Sequence, residues 1–301
     1  MRIGTAGALA AAAALASGTA SAHAGHHDTM RVAIPFTAVA GSTPVGCSAP
    51  ITGLGTTGAT ARLQDLRFYI SNVRLVKASG RSVPVTLAKS PFNHTQGANG
   101  VTLIDLENGK GACASEGDRR ENRLIRGTVP EGKYIGVRMY VSVPEALSHT
   151  DITAAPAPLD LAGMAWSWQF GRKFTKIELA DPDGAGGTWK DKVFFVHIGS
   201  TGCTGNPARG ARVRCTDPNR MLIRFPSFDV TKERIAIDLE TLTDGNDITV
   251  NRAAAPGCMS EATDPECDGV MRAAMGLSWR PDGSGTGRPA GAQTLFRAIP
   301  R

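Results

Sequence analysis

Aromatic rings are scarce in this chain: Phe, Trp and Tyr together make up 6% of its 301 residues, so any clustering of them is worth attention. No CxxC or CxxCH occurs among the cysteines, which removes the dithiol redox motif and c-type haem attachment. There is no HExxH, and Gly199-Ser200-Thr201-Gly202 lacks the Gly-x-Ser-x-Gly frame. Zincin and hydrolase chemistry therefore have no motif to stand on. Beyond the first residues no uncharged apolar run approaches the ~20 residues a membrane helix requires, so no membrane span is expected. The net charge of +6 is scattered among carboxylates rather than gathered in a stripe, which argues against nucleic acid as a partner.

The N-terminus carries a different kind of signal. Met1-Arg2 is followed by an Ala/Leu/Gly run and then by Ala20-Ser21-Ala22, with small residues where a signal peptidase needs them. Residues 1–22 read as a signal peptide whose apolar run is too short and alanine-rich to anchor the protein. The expected destination is the periplasm or the exterior. Losing Arg2 with the leader takes the charge from +6 to +5. About 280 residues remain, ample for a hydrophobic core.

Six cysteines in an exported chain favour disulfides over metal thiolates. Fifteen connectivities are possible, and sequence cannot choose among them rigorously. Cys203 with Cys215 and Cys258 with Cys267 are favoured because each pair brackets a polar, Gly/Pro-rich loop. Cys47 with Cys113 follows by elimination.

Strand signals dominate the chain. Ile135, Val137, Met139, Val141 and Val143 alternate with polar or small residues, the period of a strand with one buried face. Shorter runs lie at 32–36, 66–76, 101–106, 123–129, 174–179, 193–198, 221–225 and 234–239, separated by turns such as Asp181-Pro182-Asp183-Gly184. The apolar phase of 66–76 changes at Ser71-Asn72, which predicts a β-bulge. Short helices are expected at 159–165 and 269–276. The expected fold is mainly β: one antiparallel sandwich or barrel-like domain over residues 30–279, with long disulfide-stapled loops and one or two short helices. Residues 280–301 read as a flexible tail, because 280–293 is rich in Gly, Pro and Ser.

Three apparent motifs carry little. Gly53-Leu54-Gly55-Thr56-Thr57-Gly58 spells the dinucleotide fingerprint but opens onto a strand-like run, not a helix. Asp181-Pro182-Asp183-Gly184 begins like a calcium loop and lacks its later ligands. Asn93-His94-Thr95 matches glycosylation by letters only.

The histidines say more. Of six, His23, His26 and His27 fall in the segment 23–29 that would become the new N-terminus. Cleavage after Ala22 exposes the amine and imidazole of His23 as a histidine brace; cleavage after Ala24 makes His27 the third residue, a Cu(II)-chelating arrangement. The plain alternative is a mobile polar tail. His197 sits on Val193-Phe194-Phe195-Val196-His197-Ile198, where alternation puts it with Val193 and Phe195 on the inner face, as a hydrogen-bonded core histidine or a ligand. His149 follows the strongest strand, with Asp151 able to orient its imidazole; by itself it is a surface loop residue. In Met164-Ala165-Trp166-Ser167-Trp168 two indoles share a face if the segment is extended, either as ordinary aromatic core or as something more specific.

Arg67-Phe68-Tyr69-Ile70-Ser71-Asn72-Val73-Arg74-Leu75, Arg126-Gly127-Thr128-Val129-Pro130, Ser148-His149-Thr150-Asp151, Trp166-Ser167-Trp168-Gln169, His197-Ile198-Gly199-Ser200-Thr201-Gly202-Cys203 and Gly257-Cys258-Met259 together resemble the MbnP-like family of methanobactin-associated periplasmic copper proteins. The likeness runs over roughly residues 30–276. It implies a β-sandwich that binds copper through histidines, in some members beside a tryptophan oxidised to kynurenine by a partner di-haem, cytochrome c peroxidase-like enzyme. Carried onto this sequence, it makes His149 and His197 candidate ligands and Trp166 or Trp168 the candidate oxidation site. Met164 is a candidate thioether donor suited to Cu(I).

Three functions follow as expectations: a non-enzymatic copper storage, scavenging or delivery protein; a copper oxidase or oxygenase built on His23; or a metal-free structural domain. The mature N-terminus separates the second from the others. Cleavage is expected between Ala22 and His23, giving an intact mass that starts at His23; a chain starting at Gly25 removes the brace.

Overall fold

The structure is a computed structural model that describes Met1, residues 28–167 and residues 169–301. Residues 2–27, with most of the expected signal peptide and His23, His26 and His27, lie outside the described residues, as does Trp168.

Every strand expected from alternation is present, most of them a residue or two longer or shorter than the apolar run. Two sheets pack face to face. The smaller runs, in spatial order, through Phe296–Pro300, Glu233–Asp238, Thr29–Ala40, Leu124–Pro130 and Thr86–Leu87. The larger runs through Met221–Phe225, Gly136–Val141, Ala59–Val76, Thr175–Ala180, Val193–Ile198 and Gly257–Cys258. Most pairs are antiparallel, as expected. Two are parallel, Thr29–Ala40 with Glu233–Asp238 and Val193–Ile198 with Gly257–Cys258, so both sheets are mixed. Among the described residues the sheets do not close into a barrel.

Ala59–Val76 is the longest strand, 18 residues, and it forms pairs with Gly136–Val141, Thr175–Ala180 and Asn99–Asp105 along its length. Its core side carries Leu63, Leu66, Phe68, Ile70, Val73 and Leu75. That set is not in one alternating phase, and the register shifts where the phase changes. One shift lies between Leu63 and Asp65, opposite Glu178/Leu179. The other is at Ser71-Asn72, opposite Arg138/Tyr140, where Asn72 takes φ +50°; this is the bulge that the sequence predicts.

The sheets meet in a shared apolar core. Phe36 of the smaller sheet, Phe68 of the larger and Phe296 near the C-terminus pack edge-to-face, with ring centroids 5.3–6.4 Å apart. The disulfides are Cys47–Cys113, Cys203–Cys215 and Cys258–Cys267, and no described cysteine is free. The segment expected to be helical at 159–165 forms a short 3-10 turn at Ala162–Met164 before a strand, and the one at 269–276 is a π-helix at Asp268–Ala274. No described helix is long and apolar enough to cross a membrane.

The end of the chain differs from the flexible tail expected at 280–301. Phe296–Pro300 pairs antiparallel with Glu233–Asp238 at the edge of the smaller sheet, and Leu295 and Phe296 are buried. The Gly/Pro-rich composition of 280–293 hides that the last residues are apolar enough to dock. Truncating Phe296 to Ala empties the centre of the ring cluster. A loss of about 3–5 kcal/mol is expected, read as a lower denaturant midpoint with an unchanged slope.

Candidate metal centre

His197 lies on the strand Val193–Ile198, but not on the side that alternation suggests. Phe194, Val196 and Ile198 enter the apolar core, whereas His197 shares the opposite face with Val193 and Phe195. It is buried there all the same, with 4% of its surface exposed, because loops cover this face of the sheet. Its ring stacks on Phe195, centroids 5.1 Å apart.

The electrostatics of that covered face define the state of the imidazole. His197 Nε2 is 2.8 Å from Glu178 Oε1, on the neighbouring strand. The same carboxylate oxygen lies 3.1 Å from Lys176 Nζ, which is 2.6 Å from Asp65 Oδ2; Asp65 in turn pairs with Arg67. Burial lowers the His197 pKa, and the hydrogen bond to Glu178 only partly opposes it, so the ring is neutral at pH 7. Burial alone would raise the Glu178 pKa, but His197 and Lys176 together hold it below the ordinary glutamate value. An ionised carboxylate accepts only, so Nε2 is the protonated nitrogen and donates to Glu178. Nδ1 then carries a bare lone pair. It is buried and has no hydrogen-bond partner. An imidazole fixed by a carboxylate at one nitrogen, with the other open, is the arrangement metal-ligating histidines use.

His149 stands on a different element. It caps the four-residue helix Glu145–Ser148 and is 6% exposed, not the surface loop residue it resembles in isolation. Arg172 holds that helix in place: its buried guanidinium donates to the carbonyls of Leu147 and Ser148 at 2.5 and 3.0 Å and to Leu159 O at 2.7 Å. His149 Nε2 is 3.4 Å from Sγ of Cys215, and the imidazole borders a cavity of about 580 Å³. Asp151, considered as its orienting partner, accepts from the backbone and hydroxyl of Thr153, both at 2.9 Å.

Trp166 lies on a short strand whose partner borders His149. Its strand, Ala165–Ser167, pairs with Gly171–Arg172. Gly171 has φ +79° and presses on His149: a Cβ there would sit 2.7 Å from Cε1 of the imidazole. The indole itself covers Gly199, where a Cβ would lie 2.5 Å from Cζ3. Gly199 is two residues beyond His197 and so on the same side by alternation. Gly171, paired with the Trp166 strand, thus abuts His149, and Trp166 abuts Gly199, two residues beyond His197 in sequence. Met164 is fully buried and belongs to the apolar core.

Three other groupings of ligand-type side chains occur among the described residues. His149 with Cys203 and Cys215, and Glu107 with Cys47 and Cys113, involve sulfurs already joined in disulfides, which are not thiolate donors. Asp105, Glu107 and Asp118 bring carboxylate oxygens within 4.8 Å of one another. Glu107 spends its oxygens on the backbone N–H groups of Gly109 and Asp118, both at 2.6 Å, and Arg67 stands 3.5 Å from Asp118. Burial, then the charge of Glu107, pushes the Asp105 pKa up to about 9. That trio is a loop-holding device with a protonated member.

Comparison with known proteins adds the family. A profile described as MbnP matches residues 29–260. The chain belongs to the MbnP family. MbnP from Methylosinus trichosporium superposes with a TM-score of 0.78 at 34% sequence identity, covering 91% of this chain and 99% of that one. A search of curated proteins returns no match. The MbnP likeness thus extends from sequence to the whole sandwich.

Sequence reasoning singled out His149, His197 and Trp166 but missed Glu178 and Arg172. Lys176-Ile177-Glu178 held the one available hint, two charges on the same face of a strand that the sequence otherwise marks as buried.

The sign of one pH effect follows from Asp105. Its folded pKa of about 9 exceeds the unfolded value of about 4, so the folded state holds a proton the unfolded chain has lost between those limits. Stability is fully present below about pH 4 and falls as pH rises toward 9. Asp264, pushed up to about 8, adds a slope of the same sign. Asp105→Asn should flatten the profile, gaining stability over wild type at about pH 8 but not at about pH 4 in parallel denaturant titrations.

Proposed function

We propose that this chain is an exported copper-binding protein that stores, scavenges or delivers the metal without catalysing a reaction. The observation that carries the reading is the buried, unpartnered Nδ1 of His197, held in its tautomer by Glu178, in a chain of the MbnP family. An open imidazole nitrogen is a borderline-soft donor that suits copper. His149 supplies the second imidazole, and copper bound between them would be Cu(I), which accepts few ligands and soft neighbours. Trp166, or Trp168 in the same segment, is the candidate for oxidation to kynurenine by a di-haem partner enzyme, which would add a ligand or tune the site. Met164 contributes packing and a thioether within the same segment.

The chain's own residues do the following. Glu178 accepts the hydrogen bond from Nε2–H and so keeps Nδ1 open. Lys176, itself held by Asp65, keeps Glu178 ionised and fixed. Arg172 sets the loop that presents His149, and Gly171 leaves room for its ring.

His149→Ala and His197→Ala should each weaken copper binding strongly, measured by competition with a chromophoric Cu(I) chelator, while the disulfides and the sheet remain. Glu178→Gln should weaken it by about 10–100-fold, the usual consequence of losing a partner behind a metal-bound imidazole. Wild-type affinity in both histidine variants would sink the proposal. Peptide mapping gives an independent reading: kynurenine at Trp166 or Trp168 in protein made with the di-haem partner, and none in protein made alone.

A further inference from the structure

A cavity of about 630 Å³, lined by no histidine, lies on the outer face of the larger sheet. The bulge at Ser71-Asn72 opens it. Ser71 pairs with Tyr140 across the bulge, so Ser71, Tyr140 and Ser142 point to the same side, and Arg74, Arg220 and Arg288 close the rim. Three guanidinium groups line this space and no carboxylate does.

These charges are not neutralised nearby. Arg74 donates to the hydroxyl and carbonyl of Ser82, which are neutral acceptors, at 2.9 and 3.0 Å. Arg220 is half-buried, and its Nε has no hydrogen-bond partner. Burial lowers the Arg220 pKa; Glu145 pulls it back up and Arg288 pushes it down again. Glu145 does not line the cavity, and Arg212 already stands 3.7 Å from it.

The neutral groups are also arranged as donors. Arg138 donates to the Tyr140 hydroxyl oxygen at 2.7 Å, leaving the phenol proton to be given elsewhere. Ser71 and Ser142 share a 2.7 Å hydrogen bond, which uses one hydroxyl proton and leaves the other. A cavity with several unspent donors, like-charged guanidinium groups and no anion of its own is complementary to an oxyanion. Phosphate sites usually add a nest of backbone N–H groups or a helix N-terminus. This cavity is walled by strand side chains and prolines instead, an arrangement that favours planar carboxylates paired with guanidinium forks.

We propose that the cleft bounded by Arg74, Arg220 and Arg288 is a binding site for a small organic anion carrying two or more carboxylates. The site is separate from the copper centre and does not depend on the copper reading. Its volume falls within the range of small-molecule pockets.

The test is calorimetric titration of the disulfide-intact, copper-free protein at low ionic strength. Tricarballylate is the probe, because it carries three carboxylates without the hydroxyl that makes citrate a strong chelator. Acetate and inorganic phosphate are the comparison ligands. The expected result is one tricarballylate per chain, bound at least about tenfold more tightly than acetate or phosphate, a difference of about 1.4 kcal/mol or more. Arg288→Gln, at an exposed position where folding is not at stake, should weaken it by at least about tenfold. Arg220→Gln should do the same where its unliganded thermal midpoint matches wild type; if it does not fold, Arg288→Gln decides alone. No binding at millimolar tricarballylate, tighter binding of phosphate, or unchanged affinity in Arg288→Gln would each overturn the assignment.

Discussion

One strand must be buried on both of its faces, and much of the molecule is arranged to allow it. Residues 65–71 of Ala59–Val76 are all buried, with Leu66, Phe68 and Ile70 in the apolar core and Asp65, Arg67, Tyr69 and Ser71 on the other side. A two-sided strand is ordinarily an apolar run. Here the second face is charged and polar, so each group has to find a partner under the covering loops. Asp65 takes both Arg67 and Lys176, and the Tyr69 hydroxyl donates to Pro158 O at 2.7 Å. Lys176 reaches Glu178, and Glu178 reaches His197. The histidine thus terminates a chain of charges that begins on the central strand.

Such a chain is a poor source of stability. Desolvating five ionisable groups costs several kcal/mol each before pairing returns it, and well-packed apolar side chains would serve as well or better. What it supplies is position and protonation state. Removing one member strands its neighbour as an unpaired buried charge, commonly a loss of about 3–5 kcal/mol. The imidazole at the end is therefore fixed by groups up to two strands away.

Much of this was legible in the sequence, and the exceptions have physical causes. Alternation located the strands, the phase change at Ser71-Asn72 located a bulge, and the polar loops between Cys203 and Cys215 and between Cys258 and Cys267 indicated their bridges. Alternation also says that one side of 193–198 is buried, and it assigned His197 to that side. Both sides are buried, the core taking Phe194, Val196 and Ile198, and periodicity cannot reveal a second face covered by distant loops. Glu178 escaped for the same reason, since a charge on a strand ordinarily marks solvent. The tail misled because the Gly/Pro/Ser-rich composition of 280–293 does not extend to the end of the chain, where Leu295 and Phe296 are buried and Phe296–Pro300 pairs into the smaller sheet.

The hairpin Thr201–Thr204 and Arg214–Asp217 connects the cysteine chemistry to the imidazoles. Its bridge, Cys203–Cys215, places a sulfur 3.4 Å from His149. Reduced, that pair would put two potential thiolates beside the histidine, and thiolates are softer donors than any imidazole. Joined as a disulfide, they are withdrawn from coordination while still bracing the ring. Oxidation of this pair therefore does two things at once: it closes the hairpin that lies against His149, and it removes two sulfurs from the donors available beside the imidazole.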